Sequence, residues 1–144
     1  MPPESVLVDT GALIALYNRK DPAHASCTEA AKQLPVGKAY TCWPVVTEAF
    51  YLLRKHPQQR KSLARALFRA DFVLLPLSSD DVPAIDDVMT KYHDQETDLA
   101  DAAIVHLANR EQIDVVFTTD RRHFHVYRLK DGGVMRILPD LPAE

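Results

Sequence analysis

Five acids in this chain stand where packing favours something else: Asp9, Glu48, Asp98, Asp101 and Asp120. Asp9 closes the apolar run Val6-Leu7-Val8. Glu48 is the only acid in WPVVTEAFYLLRK, with Val45 three residues before it and Leu52 four after. It therefore shares their helical face, where an unmet carboxylate is expensive. Asp98 and Asp101 are three apart and point from one side of a helix start. Asp120 closes TTD after a β-branched run. Carboxylates that converge repel, and each raises the other's pKa unless a cation meets them. Oxygen donors suit Mg²⁺ or Mn²⁺, and no Cys/His grouping has zinc spacing. A divalent ion on carboxylates activates water and steadies phosphate charge, which is the chemistry of phosphodiester hydrolysis.

Each acid also has a structural reading. Asp9 can cap the helix that follows it, Asp98 can be an N-cap, and Asp101 then meets the helix dipole at the third position. Asp120 can be a turn or cap residue, and Glu48 can lie at the edge of its apolar stripe. One more chemistry is suggested by Asp9-Thr10-Gly11, since Asp-Thr-Gly marks aspartic proteases. Those proteases place it in a turn between strands. Here Ala12-Leu13-Ile14-Ala15-Leu16 follows, with no turn residue before Asn18. That is a strand-to-helix junction and counts against a protease.

The elements that must position these acids alternate. Strands are expected at 5–9, 38–42, 72–77, 114–119 and 134–139, the last reached through an Asp131-Gly132-Gly133 turn. Helices are expected at 10–19, at 22–34 with Asp21 as N-cap and Pro22 first, at 43–55 opened by Pro44, and at 57–70, 80–92 and 98–112. Strands apolar on both faces between helices indicate a parallel sheet covered on both sides. In such sheets the ligand crevice lies beyond the carboxyl ends of the strands. Asp9 and Asp120 end strands, and helix starts share that edge, so the acids can converge.

The 144 residues suit a single domain over 1–144. No apolar run approaches the ~20 residues of a membrane span, and no secretory signal is read at the N-terminus. Cys27 and Cys42 sit among apolar residues, as reduced thiols of a cytoplasmic protein do. The net charge of −3 argues against holding nucleic acid by bulk charge alone. Base is clustered instead. Lys61, Arg65 and Arg69 share one helical face, and Arg121, Arg122, His123, His125 and Arg128 follow a strand end. Either group also reads as a solvated surface.

The ordered set VLVDT, TEAFYLL, DLADAAIVHLA and VFTTDRRHF resembles the PIN-domain ribonucleases, most closely the VapC-type toxins of bacterial toxin–antitoxin pairs. The resemblance spans essentially the whole chain. It implies a PIN-like three-layer α/β/α sandwich with a central parallel sheet of about five strands, and a Mg²⁺- or Mn²⁺-dependent endoribonuclease. Carried over by position, Asp9, Asp101 and Asp120 hold the metal, with Asp98 an extra acid that caps and orients Asp101. Glu48 stands opposite and helps to deprotonate the attacking water. Thr10 accompanies Asp9, and Thr118 and Thr119 accompany Asp120. Cleavage is expected to leave a 5′-phosphate and a 3′-hydroxyl. Lys61, Arg65, Arg69, Arg121 and Arg122 are candidates for the RNA backbone. A homodimer and an antitoxin protein are the implied partners. Two competing functions are a PIN-like RNA- or protein-binding module without catalysis, and an aspartate-dependent phosphatase. The phosphatase is disfavoured because Gly11 stands where such enzymes want a second acid.

Overall fold

A computed structural model of the chain describes residues 1–140. Five parallel strands form one sheet: β1 (Val6–Val8), β2 (Ala39–Thr41), β3 (Val73–Leu74), β4 (Val115–Phe117) and β5 (Arg136–Leu138). Their order is β3-β2-β1-β4-β5. Seven helices connect them among the described residues: α1 (Thr10–Tyr17), α2 (His24–Ala31), α3 (Trp43–Leu52), α4 (Pro57–Phe68), α5 (Val82–Lys91), α6 (Leu99–Glu111) and α7 (Arg121–Val126). The chain moves outward from β1 to β3, crosses back to β4 and ends outward at β5. Right-handed crossovers therefore put α1–α4 on one face and α5–α6 on the other, giving the expected three layers. The reversal leaves β1 beside β4, so the crevice opens beyond the carboxyl ends of those two strands.

The core explains why the strands are short and wholly apolar. Val6, Leu7, Val8, Val116 and Phe117 are fully buried, and Leu13, Val45, Leu63, Ile104 and Leu107 close over them from the helices. A strand covered on both faces has no outward polar positions, which is the pattern of VLV and VVF. Register then fixes the site. Val8 pairs with Phe117, so the next residues, Asp9 and Thr118, emerge side by side. The Asp9 amide donates to the Phe117 carbonyl at 2.9 Å, which carries the pairing one residue past the strand.

Several boundaries differ from expectation. The third strand keeps only Val73–Leu74, because the chain beyond Leu75 no longer pairs with β2. The second helix starts at His24 rather than Pro22. Asp21 accepts from the Ala23 amide at 2.8 Å and so terminates a turn before that helix instead of capping it directly. A single 3-10 turn, Ser79–Asp81, precedes α5. Asp81 there accepts from His106 at 2.8 Å and Arg110 at 3.1 Å, fastening the turn to α6. The basic segment after β4 is itself a helix, α7, which was not expected.

Candidate active site and metal centre

Asp9 is 4% exposed and occupies the N-cap position of α1, yet its side chain caps nothing. Its Oδ2 instead accepts from the Thr118 hydroxyl at 2.8 Å, and its Oδ1 is buried without a hydrogen-bond partner. Burial pushes the Asp9 pKa up to about 6 against the lowering by the Thr10 amide and Thr118; Glu48 and Asp98 add repulsion. Thr10 Oγ1 is also buried. It lies toward Glu48 and tempers that acid's pKa, but makes no hydrogen bond of good geometry.

The α6 start carries Asp98 and Asp101. Asp98 is its N-cap, accepting from the Asp101 amide at 2.8 Å. That bond fixes the first turn and turns the Asp101 side chain into the crevice. Asp101 Oδ2 accepts from the Tyr127 hydroxyl at 2.9 Å. Its pKa is pushed up to about 7, first by burial and then by the charges of Asp9 and Asp98. Glu48, from α3, has its pKa raised by burial and by Asp98. The α3–α6 contact thus joins the second acid motif to the third.

Asp120 caps α7. Its Oδ1 accepts from the His123 amide at 3.1 Å, its Oδ2 meets His123 Nδ1 at 2.7 Å, and its own amide donates to Thr118 Oγ1 at 3.0 Å. Thr118 therefore bridges Asp9 and Asp120. The hydrogen bond to Asp120 raises the His123 pKa. Asp101, Asp120 and His123 each bring one donor atom within 4.8 Å of one another. Asp9 reaches this group through its charge on Asp101, and Glu48 and Asp98 form the outer part of the same field.

This donor set fits a hard divalent cation. It is rich in carboxylate oxygen, it holds an orphaned buried oxygen on Asp9, and its acids repel one another with no lysine or arginine bonded among them. His123 has both ring nitrogens engaged, the second on the Gln95 carbonyl at 2.9 Å.

Thr119, an expected companion of Asp120, faces the residues that directly follow Asp9. A Cβ placed on Gly11 would lie 2.1 Å from Thr119 Oγ1, so Thr119 packs against the start of α1. Arg121 donates to the Pro139 carbonyl beside the crevice, and Arg122 is exposed on the same helix. Lys61 and Arg65 on α4, and Arg69 at its C-cap, are exposed and lie away from the acids. Arg69 pairs with Asp71 at 2.9 Å, and both act on Tyr17, at the end of α1 remote from Asp9. Thr118, an expected companion of Asp120, also donates to Asp9, and His123 and Tyr127 carry contacts that sequence reasoning did not assign. The single available signal was their proximity in sequence to Asp120.

Comparison with known proteins agrees with this architecture. The family model described as PIN domain matches residues 6–129. The chain is 32% identical to Ribonuclease VapC26 of Mycobacterium tuberculosis, covering 93% of this chain and all of that one. The crystal structure of Mycobacterium tuberculosis VapC20, a sarcin-ricin loop cleaving toxin, superposes with a TM-score of 0.75 at 18% identity. It covers 82% of this chain and 92% of VapC20. PAE2754 from Pyrobaculum aerophilum gives a TM-score of 0.56 at 21% identity, covering 90% and 87%.

Proposed function

The chain belongs to the PIN-domain family, and from that premise we propose that it is a Mg²⁺- or Mn²⁺-dependent endoribonuclease, the toxin of a toxin–antitoxin pair. The observation that carries the reading is Asp9: a carboxylate buried at the end of β1, one oxygen held by Thr118 and the other unpartnered, near enough to Glu48, Asp98 and Asp101 for their charges to repel. A fold does not keep such a group for stability, because burying it unneutralised is unfavourable. Asp9, Asp101 and Asp120 would hold the cation, with Glu48 and Asp98 at its rim. When bound, the ion supplies a water of lowered pKa and neutralises phosphate charge.

The remaining work falls to the chain. Thr118 fixes one Asp9 oxygen and leaves the other without a hydrogen-bond partner. Asp98 caps α6 and so aims Asp101. Glu48, whose pKa is raised by burial and by Asp98, accepts a proton from the attacking water. Arg121 and Arg122, on the helix that Asp120 caps, meet the RNA phosphates. The relative named Ribonuclease VapC26 supports RNA as the substrate class. The same kinship supports an antitoxin partner, a homodimer, one domain over 1–144 and a cytoplasmic location. No helix among the described residues is long and apolar enough to cross a membrane.

The test is purified protein on total RNA with Mg²⁺, Mn²⁺ or EDTA, beside Asp9→Asn. Cleavage is expected only for wild type with metal, and to fall at least about 100-fold in the variant. Cleavage that survives EDTA, or that the variant retains, sinks the proposal. RNA binding without cleavage in either protein would identify a binding module.

A further inference from the structure

His123 of α7 and Tyr127, the residue that caps the C-terminus of that helix, each hold a different acid of the site. His123 Nε2 lies 2.9 Å from the Gln95 carbonyl, which can only accept, so that nitrogen donates. Nδ1 meets Asp120 Oδ2 at 2.7 Å, while the His123 amide holds Oδ1. No lone pair of the ring is left to face the crevice. Tyr127 is 1% exposed and gives its one hydroxyl proton to Asp101 Oδ2 at 2.9 Å. Its oxygen lies 3.1 Å from the Thr97 hydroxyl, which also reaches the Tyr92 carbonyl at 3.3 Å. The ring is locked edge-on between Tyr92 and Phe124, with centroids 5.0 and 5.2 Å away.

Both holds end on the same short stretch. Gln95 and Thr97 flank Glu96, whose φ of 55° lies in the left-handed region. That stretch runs directly into Asp98, the cap of α6. One loop thus supports Asp120 through His123 and Asp101 through Tyr127.

We propose that His123 and Tyr127 form a clasp, anchored on residues 95–97, that sets the Asp120 and Asp101 carboxylates for a divalent cation, and that His123 is a positioning residue and not a ligand. The inference rests on the metal-nuclease reading. It adds that cation affinity depends on two residues that do not touch the cation. Outer-shell partners of this kind commonly change metal affinity 10–100-fold.

The test is Mn²⁺ affinity of the full chain, read by electron paramagnetic resonance and calorimetry without RNA. His123→Ala and Tyr127→Phe are expected to bind Mn²⁺ about 10–100-fold more weakly than wild type. His123→Asn is expected to stay within about threefold, since its amide reaches Asp120 where Nδ1 does. His123→Gln reaches the Gln95 carbonyl instead and should bind weakly. An Asn variant as weak as Ala or Gln would make the ring a ligand and overturn the proposal. So would wild-type affinity in both His123→Ala and Tyr127→Phe. If His123→Ala fails to fold, the order of Asn over Gln decides alone. Wild type that binds no Mn²⁺ at millimolar concentration overturns the nuclease reading itself, an outcome distinct from any ranking of variants.

Discussion

Asp9 and Asp101 set the behaviour of the site at the scale of single residues. Both carboxyls are held above their ordinary range, at about 6 and about 7, chiefly by burial. In the unfolded chain each titrates near ~3.9. Between those values the folded, metal-free protein binds more protons than the unfolded one, so its stability falls as pH rises from about 4 to about 7. Each pKa unit corresponds to about 1.4 kcal/mol, so Asp9 alone accounts for on the order of 3 kcal/mol. Asp81 works in the opposite sense: Ser78, His106 and Arg110 hold its carboxyl well below the usual range, and its contribution is complete above pH ~4. Thermal melts in EDTA should therefore decline by several degrees from pH 4.5 to 7.5. Mn²⁺ should remove most of that decline, and Asp9→Asn should flatten it without metal. A melting temperature that climbs over this window, or a variant as steep as wild type, would show that these acids carry no burial penalty. The acids themselves were legible because a charged residue after VLV or on an apolar helix stripe contradicts its surroundings. His123 and Tyr127 were not, because nothing in a local window says that Tyr127 reaches Asp101, 26 residues away in sequence.

At the scale of elements, legibility followed length and period. The helix α6 is thirteen residues with a capping aspartate and a buried apolar face, and its limits were read within one residue. The third strand shrank to two residues because pairing, not apolar content, decides how far a ladder runs. The helix α7 was missed because six residues, RRHFHV, hold a single buried apolar side chain, Phe124, and show no period. Its existence depends on the Asp120 cap and on contacts made across the crevice. Gly11 shows how closely these elements approach. A methyl there would meet Thr119 Oγ1 at 2.1 Å and Thr119 Cβ at 3.3 Å. Alanine gains at most about 1 kcal/mol of helix propensity over glycine, whereas overpacking costs about 1–3 kcal/mol. Gly11→Ala is therefore expected to lower the melting temperature by several degrees. Thr119→Ala in the same chain should recover most of the loss, because it removes the nearest atom. If Gly11→Ala is neutral, or the double variant is no better than the single one, α1 and the end of β4 are not in contact as described.

For the whole molecule the question is how a protein of net charge −3 holds RNA at an acidic crevice. Two basic groups were candidates, and the fold separates them. The α4 group lies toward the end of α1 remote from Asp9, where Gln58, Gln59 and Ser62 face Tyr17, Asn18 and Lys20 across a groove. Arg69 there is already paired with Asp71. The α7 group begins directly after Asp120, and Arg122 forms no ion pair or hydrogen bond among the described residues. Phosphate contacts near the acids should therefore be few and come from α7. For single strands each contact contributes about −0.7 to the slope of log affinity against log salt. Binding of a short unstructured RNA to Asp9→Asn protein, which leaves the strand uncut, should show a slope on the order of −2 or shallower. Adding Arg122→Ala should reduce its magnitude by about 0.7. Adding Lys61→Ala or Arg65→Ala should leave it unchanged. A slope that flattens with the α4 substitutions and not with Arg122→Ala would place the RNA path across α4. The substrate would then have to span the length of α1, about 12 Å, to reach Asp9.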